Sequence, residues 1–422
     1  MARFFKNDPN YFPEIPNIVE EIEESSTWRV WDETEELITD TNGNVIVYKA
    51  KEEEEWFRCF IDGTYRIART ATYNGVPIYI ASITAVMTER TKEKVLREVG
   101  LNKHLTVILF PFDAFSERFK NTWGDKIQEF KQYLKSEYNA ISDCRLRSDS
   151  LDVLQKSGKN IWIYSDITYL GLRYEEVPRK RYDITEQNLF DEGKIYSRVR
   201  ARVRVLMSVL EAANLKYYRE NIERKKYKNH SESWVLVDGT VNNYWKFFCR
   251  KTNQSESYPL FNKVVGFIKT IRRTPAWMDI AQIHKLKERE FIVTIGTKND
   301  EDPVVKHEMD EDKLEGENQW GFIYLRFRTP IYFPHGILSS RGIVKLQFRI
   351  TEEYSEINVR DRILKIQNKA HKVASLAIKE RFPLPTDKSR IWKEAVAIEE
   401  TEKIAKSRLL SEEWLKNKGW TL

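Results

Sequence analysis

The sequence predicts an α/β protein with a mixed sheet flanked by helices, because β-prone runs alternate with stretches of helical periodicity. The clearest strands are two long β-prone runs separated by Asn74-Gly75, a dipeptide typical of tight hairpin turns. The clearest helix covers Glu192 to Arg224, where apolar side chains recur with a period of about 3.6 residues. These features indicate a three-stranded meander followed, later in the chain, by a long helix.

The chain divides by composition into an N-terminal appendage, residues 1–50, and a main domain, residues 51–422. The first part is acidic and contains scattered prolines. Within the main domain, residues 88–178 alternate helical and β-prone stretches and predict an insertion or elaboration of the core. Helices are expected there at Thr91 to Glu98 and at Phe115 to Tyr138.

Composition excludes several classes of protein. Hydrophobic residues make up 41% and charged residues 32% of the 422 positions, and no stretch approaches the roughly 20 apolar residues of a membrane span. We therefore expect no membrane partner, and the lack of an apolar leader predicts a cytoplasmic location. Three widely spaced cysteines support neither a disulfide framework nor a cysteine-based zinc site.

Two β-prone runs end in the same tripeptide, Asp-Gly-Thr, at residues 62–64 and 238–240. An aspartate at the end of a buried strand, followed by a glycine that lets the backbone turn, is a common way to hold a divalent cation. Asp-Gly is also a frequent turn dipeptide and by itself marks only the end of a strand. Because both copies follow apolar runs, the pair favours a metal site shared by Asp62 and Asp238.

Glu211 is a third candidate, since it stands alone among apolar residues of the long predicted helix. An isolated carboxylate in such a stretch is costly unless it meets a partner or points to solvent. Two interpretations therefore stay open for Glu211. It either completes a metal site with the aspartates, as two-metal phosphodiester chemistry requires several carboxylates, or it is exposed and paired with an arginine.

Basic residues near these acids predict contacts with a polyanion. Along the long helix, arginine occupies every second position from 198 to 204, so these side chains fan around the helix and only one or two can contact phosphate. Arg200 and Arg204 are the candidates. Lys269 ends the run Val264 to Ile268, where its ammonium group could lie against a phosphate.

Six segments between residues 56 and 406 carry a further pattern: Asp62-Gly63, the arginine-rich helix with Glu211, Val235 to Thr240, Val264 to Lys269, Trp320 to Arg326, and Phe382-Pro383-Leu384-Pro385. In order and spacing they resemble the NurA nucleases. The resemblance implies an RNase H-like core and a place beside a HerA-type hexameric translocase in DNA-end processing, either in DNA repair or in antiviral defence.

The resemblance also implies an activity and a set of site residues. The activity is that of a Mn²⁺-dependent (or Mg²⁺-dependent) deoxyribonuclease, a 5′–3′ exonuclease and single-strand endonuclease, acting as a homodimer on the HerA-like ATPase. Asp62, Glu211 and Asp238 would be the metal ligands and Lys269 a contact to DNA phosphate. Two alternatives are a non-catalytic DNA-binding scaffold subunit and an RNase H-like enzyme that acts on RNA.

The sequence departs from the family pattern near its C-terminal end. The histidine that follows the proline-rich turn in the family is absent. Glu399 or Glu400 takes its place, or His371 reaches the site from the preceding helix, or the site is weakened. A further acid, Asp166, ends a β-prone run and is either a fourth site carboxylate or an ordinary turn residue.

Overall fold

The computed structural model describes most of the chain, namely residues 11–13, 35–38, 45–51, 54–119, 124–168, 184, 188–223, 225, 233–241, 262–269, 271, 283, 285–296, 320–328, 342–350, 359–381 and 395–421. The proline-rich turn at 382–385 lies outside these residues. Among the described helices, none combines the length and the apolar character that crossing a bilayer demands.

The described strands are β1 (Tyr11–Pro13), β2 (Glu35–Leu37), β3 (Tyr48–Lys49), β4 (Cys59–Tyr73), β5 (Val76–Arg90), β6 (Leu96–Val99), β7 (His104–Phe110), β8 (Ile141–Ser142), β9 (Asn160–Asp166), β10 (Val235–Asp238), β11 (Val264–Ile268), β12 (Glu290–Gly296), β13 (Trp320–Arg326) and β14 (Ile343–Arg349). The described helices are α1 (Phe112–Arg118), α2 (Gly124–Tyr138), α3 (Asp143–Lys156), α4 (Glu192–Tyr217), α5 (Val359–Lys379), α6 (Val396–Ser407) and α7 (Glu412–Thr421). A π-helical segment, Tyr218–Glu223, continues α4.

These strands form a fourteen-stranded mixed sheet in the order β2-β12-β13-β14-β11-β10-β4-β5-β7-β9-β8, while β1 pairs with β4, β3 with β12 and β6 with β5. At its centre, β4, β5 and β7 form an antiparallel meander, and β10 and β11 run parallel to β4. The predicted α/β class, a mixed sheet flanked by helices, is confirmed.

Helices cover both faces of the central strands, and the alternation of side chains along β4 shows which helix covers which face. Ile61 packs in a buried cluster with Ala212 and Leu215 of α4. Phe60, on the opposite face, belongs to a cluster that includes Ala370 of α5 and Ile398 of α6. The central strands are therefore buried from both sides.

The predicted hairpin is confirmed, since Asn74 and Gly75 have φ of 47° and 81° between β4 and β5. The predicted helix at Thr91 to Glu98 is wrong. Residues 91–95 form a turn, closed where the Val95 carbonyl accepts a hydrogen bond from the Thr91 amide at 2.8 Å, and β6 then pairs with β5. Pairing with a long neighbouring strand has overridden the local helical preference.

The predicted end of a strand at Asp62 is also wrong, because β4 runs without a break from Cys59 to Tyr73. The predicted helix at Phe115 to Tyr138 corresponds to α1 and α2, with residues 120–123 outside the described part. The predicted appendage contributes β1, β2 and β3 to the sheet, and the predicted insertion contributes β6 to β9. The domain boundaries stay predictions.

A buried ion pair fastens α4 to α3 and β9. Arg202 Nη1 donates to Asp143 Oδ2 at 2.7 Å, and both side chains are almost fully inaccessible to solvent. Ser165 Oγ donates to the same oxygen at 2.6 Å. Of the four arginines on this stretch of α4, Arg202 therefore has a structural role.

Replacing Arg202 with methionine should lower the free energy of unfolding by about 3–5 kcal/mol, because it leaves the Asp143 carboxylate buried without its counter-ion. Urea denaturation at neutral pH measures this loss. The matched control on the same helix is Glu192→Gln, which breaks the ion pair between the exposed Glu192 and Arg69 of β4 and should cost less than about 1 kcal/mol. Equal stability of the Arg202→Met variant and the wild type would contradict the structural role.

Candidate functional site

Asp62 and Asp238 come together because their strands run parallel and in register. Cys59 lies beside Val235 and Ile61 beside Val237, so the next positions along both strands are Asp62 and Asp238. Neighbouring positions of parallel strands project to the same face of a sheet. The two carboxyl groups that the sequence singled out are therefore next to each other, on the face covered by α5 and α6.

The Asp62 carboxyl group is buried, with 4% of the residue exposed. Burial raises its pKa well above the ordinary value for aspartate, and the negative charge of Asp238 raises it further. Lys269 opposes this rise, whereas Glu402 and Glu211 add to it. The buried Oδ2 atom of Asp62 accepts no hydrogen bond from the described residues. An unsatisfied buried carboxylate oxygen is costly and indicates a missing partner.

The second Asp-Gly-Thr behaves as the sequence predicts. β10 ends at Asp238, and Gly239 adopts a φ of 95°, which residues with a side chain rarely adopt. The Gly239 amide donates to the carbonyl of Phe267 at 2.9 Å and fixes the turn against β11. Lys269, just beyond β11, places Nζ 3.1 Å from Asp238 Oδ2. The predicted lysine thus lies beside the predicted acids.

The first Asp-Gly-Thr uses its glycine differently. Gly63 lies inside β4, and a Cβ atom there would sit 2.6 Å from Met207 Cγ and closer still to Glu211 Oε1. The glycine is therefore required by the close approach of α4 and not by a turn. Glu211 is buried, with 3% exposed, so the interpretation of an exposed glutamate is wrong.

β4 is much longer than its neighbour β10, and the difference in length leaves a gap in the sheet beside β4. β10 pairs with β4 only at Cys59–Ile61, and β1 pairs with the same side of β4 only at Ala71–Tyr73. Among the described strands, none pairs with the edge of β4 between these two stretches. We call this edge, from Asp62 to Thr70, the β4 notch. Glu211 approaches it from the α4 side, and Asp62 faces the α6 side.

Glu402 is the site residue that the sequence analysis missed. Glu402 lies on α6 directly after Thr401. The Thr401 hydroxyl group is 2.7 Å from that of Thr88 on β5. The negative charge of Glu402 contributes to the raised pKa of Asp62. Glu399 and Glu400, which were among the alternatives for the missing histidine, are paired with Lys403 at 3.6 and 2.8 Å instead. The usable signal was helical spacing, since Glu402 lies four residues after the buried Ile398.

Arg200 and Arg204 are half-buried on α4, before Glu211 in the chain. At about 1.5 Å per residue, Arg204 lies on the order of 10 Å from Glu211 along the helix axis, and Arg200 lies farther. They are therefore separated from the carboxylates. If Arg200 and Arg204 make the predicted phosphate contacts, those phosphates lie at a distance from the acids.

The structure does not bring Asp166 or His371 to the β4 notch. Asp166 ends β9, three strands from β4, and accepts hydrogen bonds from the amides of Thr168 and Asp113 as a turn residue does. Its burial, together with the charge of Asp113, raises its pKa to about 7. His371 packs edge-on against Phe291 of β12, with the ring centroids 5.1 Å apart. β12 is five strands from β4, roughly 24 Å at the usual spacing.

The residues present fit a divalent cation in two respects. A cation would satisfy the buried Asp62 Oδ2 and would offset the repulsion between Asp62 and Asp238. Across the described ranges, however, no three His, Cys, Asp or Glu side chains already converge closely enough to hold a metal ion. A complete ligand set requires a movement of a third carboxylate toward the aspartates.

Comparison with known proteins adds no assignment. Neither a scan against protein-family models nor a search of curated proteins gave a match to this chain.

Replacing Gly63 with alanine should destabilise the protein by about 1–3 kcal/mol, because the added methyl group overlaps Glu211 and Met207. Urea denaturation provides the measurement. Gly158→Ala is the matched control, since its Cβ would find its nearest neighbour 4.0 Å away. If Gly63→Ala is as mild as the control, the close approach of α4 to β4 is wrong.

The metal-free protein should lose stability at Asp62 as the pH rises. The pKa of Asp62 is raised on folding, so its contribution is fully present below about pH 4 and is lost as the pH passes through the folded pKa. Asp62→Asn keeps a neutral side chain, so its stability relative to wild type should increase with pH. Unfolding curves between pH 4 and 8 in the presence of a chelator measure the difference. A constant difference across this range would contradict the raised pKa.

Proposed function

We propose that this chain is a divalent-metal-dependent deoxyribonuclease of the NurA type, with an RNase H-like core. The observation that supports this most directly is the pair Asp62 and Asp238, which lie side by side with one buried oxygen lacking a hydrogen-bond donor among the described residues. Carboxylate oxygens are the protein ligands that Mg²⁺ and Mn²⁺ prefer.

The order of elements supports the proposed core. A three-stranded antiparallel meander carries Asp62, the long helix that follows carries Glu211, and the next strand, parallel to the first, carries Asp238. The elements that carry these three acids are therefore next to one another, since β10 pairs with β4 and α4 packs closely against Gly63 of β4. Three acids that are distant in sequence surround one short stretch of β4.

The residues around the β4 notch would have different roles. Asp62, Asp238 and Glu211 would hold the cation, which when bound would supply Lewis-acid stabilisation of the phosphodiester and a water of lowered pKa. Lys269 already neutralises one aspartate at 3.1 Å and could instead bind a DNA phosphate when one arrives. The low solvent exposure of Asp62 strengthens all of these electrostatic interactions.

The rest of the proposal is supported by the resemblance. It comprises 5′–3′ exonuclease action on DNA ends, endonuclease action on single strands, a preference for Mn²⁺, a homodimer and a HerA-type translocase as partner in the cytoplasm. DNA-end processing for repair and defence against foreign DNA are both compatible with this activity.

One observation favours a second candidate, a non-catalytic DNA-binding scaffold subunit of the same complex. Lys269 pairs with Asp238, and within the described part of the chain no three donors are preassembled for a metal. A lysine that permanently replaced the cation would preserve the fold and abolish turnover.

The test is cleavage of linear duplex DNA, single-stranded DNA and RNA with Mn²⁺, with and without a HerA-type translocase. Asp62→Asn and Asp238→Asn should each lower the rate at least about 100-fold, because each removes a proposed ligand while keeping the side-chain shape. Glu400→Gln, an exposed position on α6, is the control and should leave the rate unchanged.

Wild-type activity in both aspartate variants would refute the site. Binding of DNA by the wild type without cleavage under any of these conditions would favour the scaffold. Cleavage confined to RNA would redirect the proposal to a ribonuclease.

A further inference from the structure

We propose that Trp56 and the ammonium groups of Lys94 and Lys379 form a binding site for single-stranded DNA, separate from the carboxylates at the β4 notch. The indole ring would stack on one unpaired base, and the two lysines would bind the neighbouring phosphates. DNA as the polyanion rests on the proposed function, whereas the site itself depends on an exposed aromatic ring and the charges around it.

Trp56 presents its indole ring to solvent at a fixed position. The residue is 39% exposed, although tryptophan is usually well buried. The guanidinium carbon of Arg90 lies 5.2 Å from the ring centroid of Trp56 and 4.9 Å from that of Phe60. Arg90 is itself held by the Glu380 carboxylate at 2.8 and 2.7 Å, and it donates to the carbonyl oxygen of Phe57 at 3.0 Å. A ring that is already ordered loses little freedom when a ligand binds, which favours affinity.

Two lysines from distant parts of the chain approach the same ring. Nζ of Lys379, the last residue of α5, lies 4.5 Å from the ring centroid of Trp56, and Nζ of Lys94 lies 5.4 Å from it. Lys379 also donates to the backbone carbonyl oxygen of Glu55 at 3.2 Å. The ring is therefore surrounded by positive charge.

The carboxylates closest in sequence to Trp56 and Lys379 are engaged elsewhere. Glu55 pairs with Lys372 at 2.9 Å, and Glu380 pairs with Arg90. Within the part of the chain that the structure describes, neither Lys94 nor Lys379 pairs with a carboxylate. Their ammonium groups can therefore bind an incoming phosphate without first breaking an ion pair between described residues.

The turn that carries Lys94 has an unfavourable backbone conformation. Lys94 has a φ of 63°, which is uncommon for a residue with a long side chain. Its amide donates to the carbonyl of Thr91 at 3.0 Å, and the Thr91 amide donates to the carbonyl of Val95 at 2.8 Å, so the turn is closed. Conformations of this kind are often retained where a side chain has to be presented to a ligand.

The combination of charge and aromatic surface suits a single strand. Ammonium groups attract phosphates, and an unpaired base exposes a flat face that stacks on an aromatic ring. Cation–π contacts at exposed sites contribute little, so exchanging the ring for a phosphate costs the lysines little. In a duplex the bases are stacked on one another, and only the phosphates remain accessible to this site.

The site lies within reach of the β4 notch. Six residues separate Trp56 from Asp62, so their backbones are at most about 22 Å apart. Lys379 belongs to α5, which covers the face of the sheet to which Asp62 projects. A strand bound at Trp56 could therefore continue toward the carboxylates on the same side of the sheet.

The experiment measures the binding of a fluorescein-labelled oligothymidylate to the full chain by fluorescence anisotropy, in chelator so that no metal-dependent cleavage occurs. Trp56→Ala should weaken binding about 10-fold or more, because the stacking surface is lost. Trp56→Phe keeps an aromatic ring and should retain most of the affinity. Leu364→Ala removes an exposed apolar side chain from α5 and is the control that should bind as the wild type does.

The lysines have a separate signature in the salt dependence of binding. For single strands, the slope of log K against log salt concentration falls by about 0.7 for each phosphate contact that is lost. The double variant Lys94→Gln/Lys379→Gln should therefore lower the slope by about 1.4. Lys365→Gln, at an exposed position about 21 Å from Lys379 along α5, is the control and should leave the slope unchanged.

The outcomes separate this inference from the proposed function. If Trp56→Ala binds the oligothymidylate as tightly as the wild type, or if the wild type does not bind it, the site is refuted even where the protein cleaves DNA. An equal loss of affinity for the oligothymidylate and for its duplex with oligodeoxyadenylate would refute base stacking. If Trp56→Ala alone loses affinity and no condition gives cleavage, the site stands and the nuclease activity is refuted.

Discussion

The unequal lengths of the neighbouring strands β4 and β10 determine how the carboxyl groups of the candidate site are arranged. β10 stops at Asp238, and β4 continues to Tyr73. Beyond Asp62 the sheet therefore has a step, which forms the β4 notch. Side chains from two strands and two helical layers can meet at this step. Without that step, a further strand would cover the edge of β4, and the carboxyl groups on either face would be separated by continuous backbone pairing.

The step also explains why a folded protein can tolerate so many acids in one place. The buried Asp62 and the half-buried Asp238 repel each other, and Asp62 keeps an oxygen without a hydrogen-bond donor among the described residues. Such an arrangement is unfavourable for stability and persists only where the surrounding packing fixes it. Here the apolar contacts of α4 on one face, and of α5 and α6 on the other, supply that packing.

The sequence predicted what depends on short-range pattern. The Asn74-Gly75 hairpin and the turn after Asp238 follow from the residues at those positions, and the long helix follows from its periodicity. What it could not predict depends on contacts between distant segments. The role of Gly63 comes from a helix far along the chain, and β6 replaces a predicted helix because β5 offers it an edge.

Glu402 illustrates the same limit within the candidate site. Neighbouring glutamates at 399, 400 and 402 are chemically equivalent in the sequence, and only the rotation of α6 against the sheet distinguishes them. That rotation is set by tertiary contacts such as the one between Thr401 and Thr88. Register and rotation are decided by packing, and a single sequence does not reveal them.

The hydroxyl contact between Thr88 and Thr401 joins positions 313 residues apart. Contacts of such long range form late, since the entropy of closing the intervening chain must first be overcome. During synthesis the meander that carries Asp62 leaves the ribosome long before α6 does. The surroundings of Asp62 are therefore completed only after α6 has been made, so a chain that stops before α6 would expose its aspartates without the helix that encloses them.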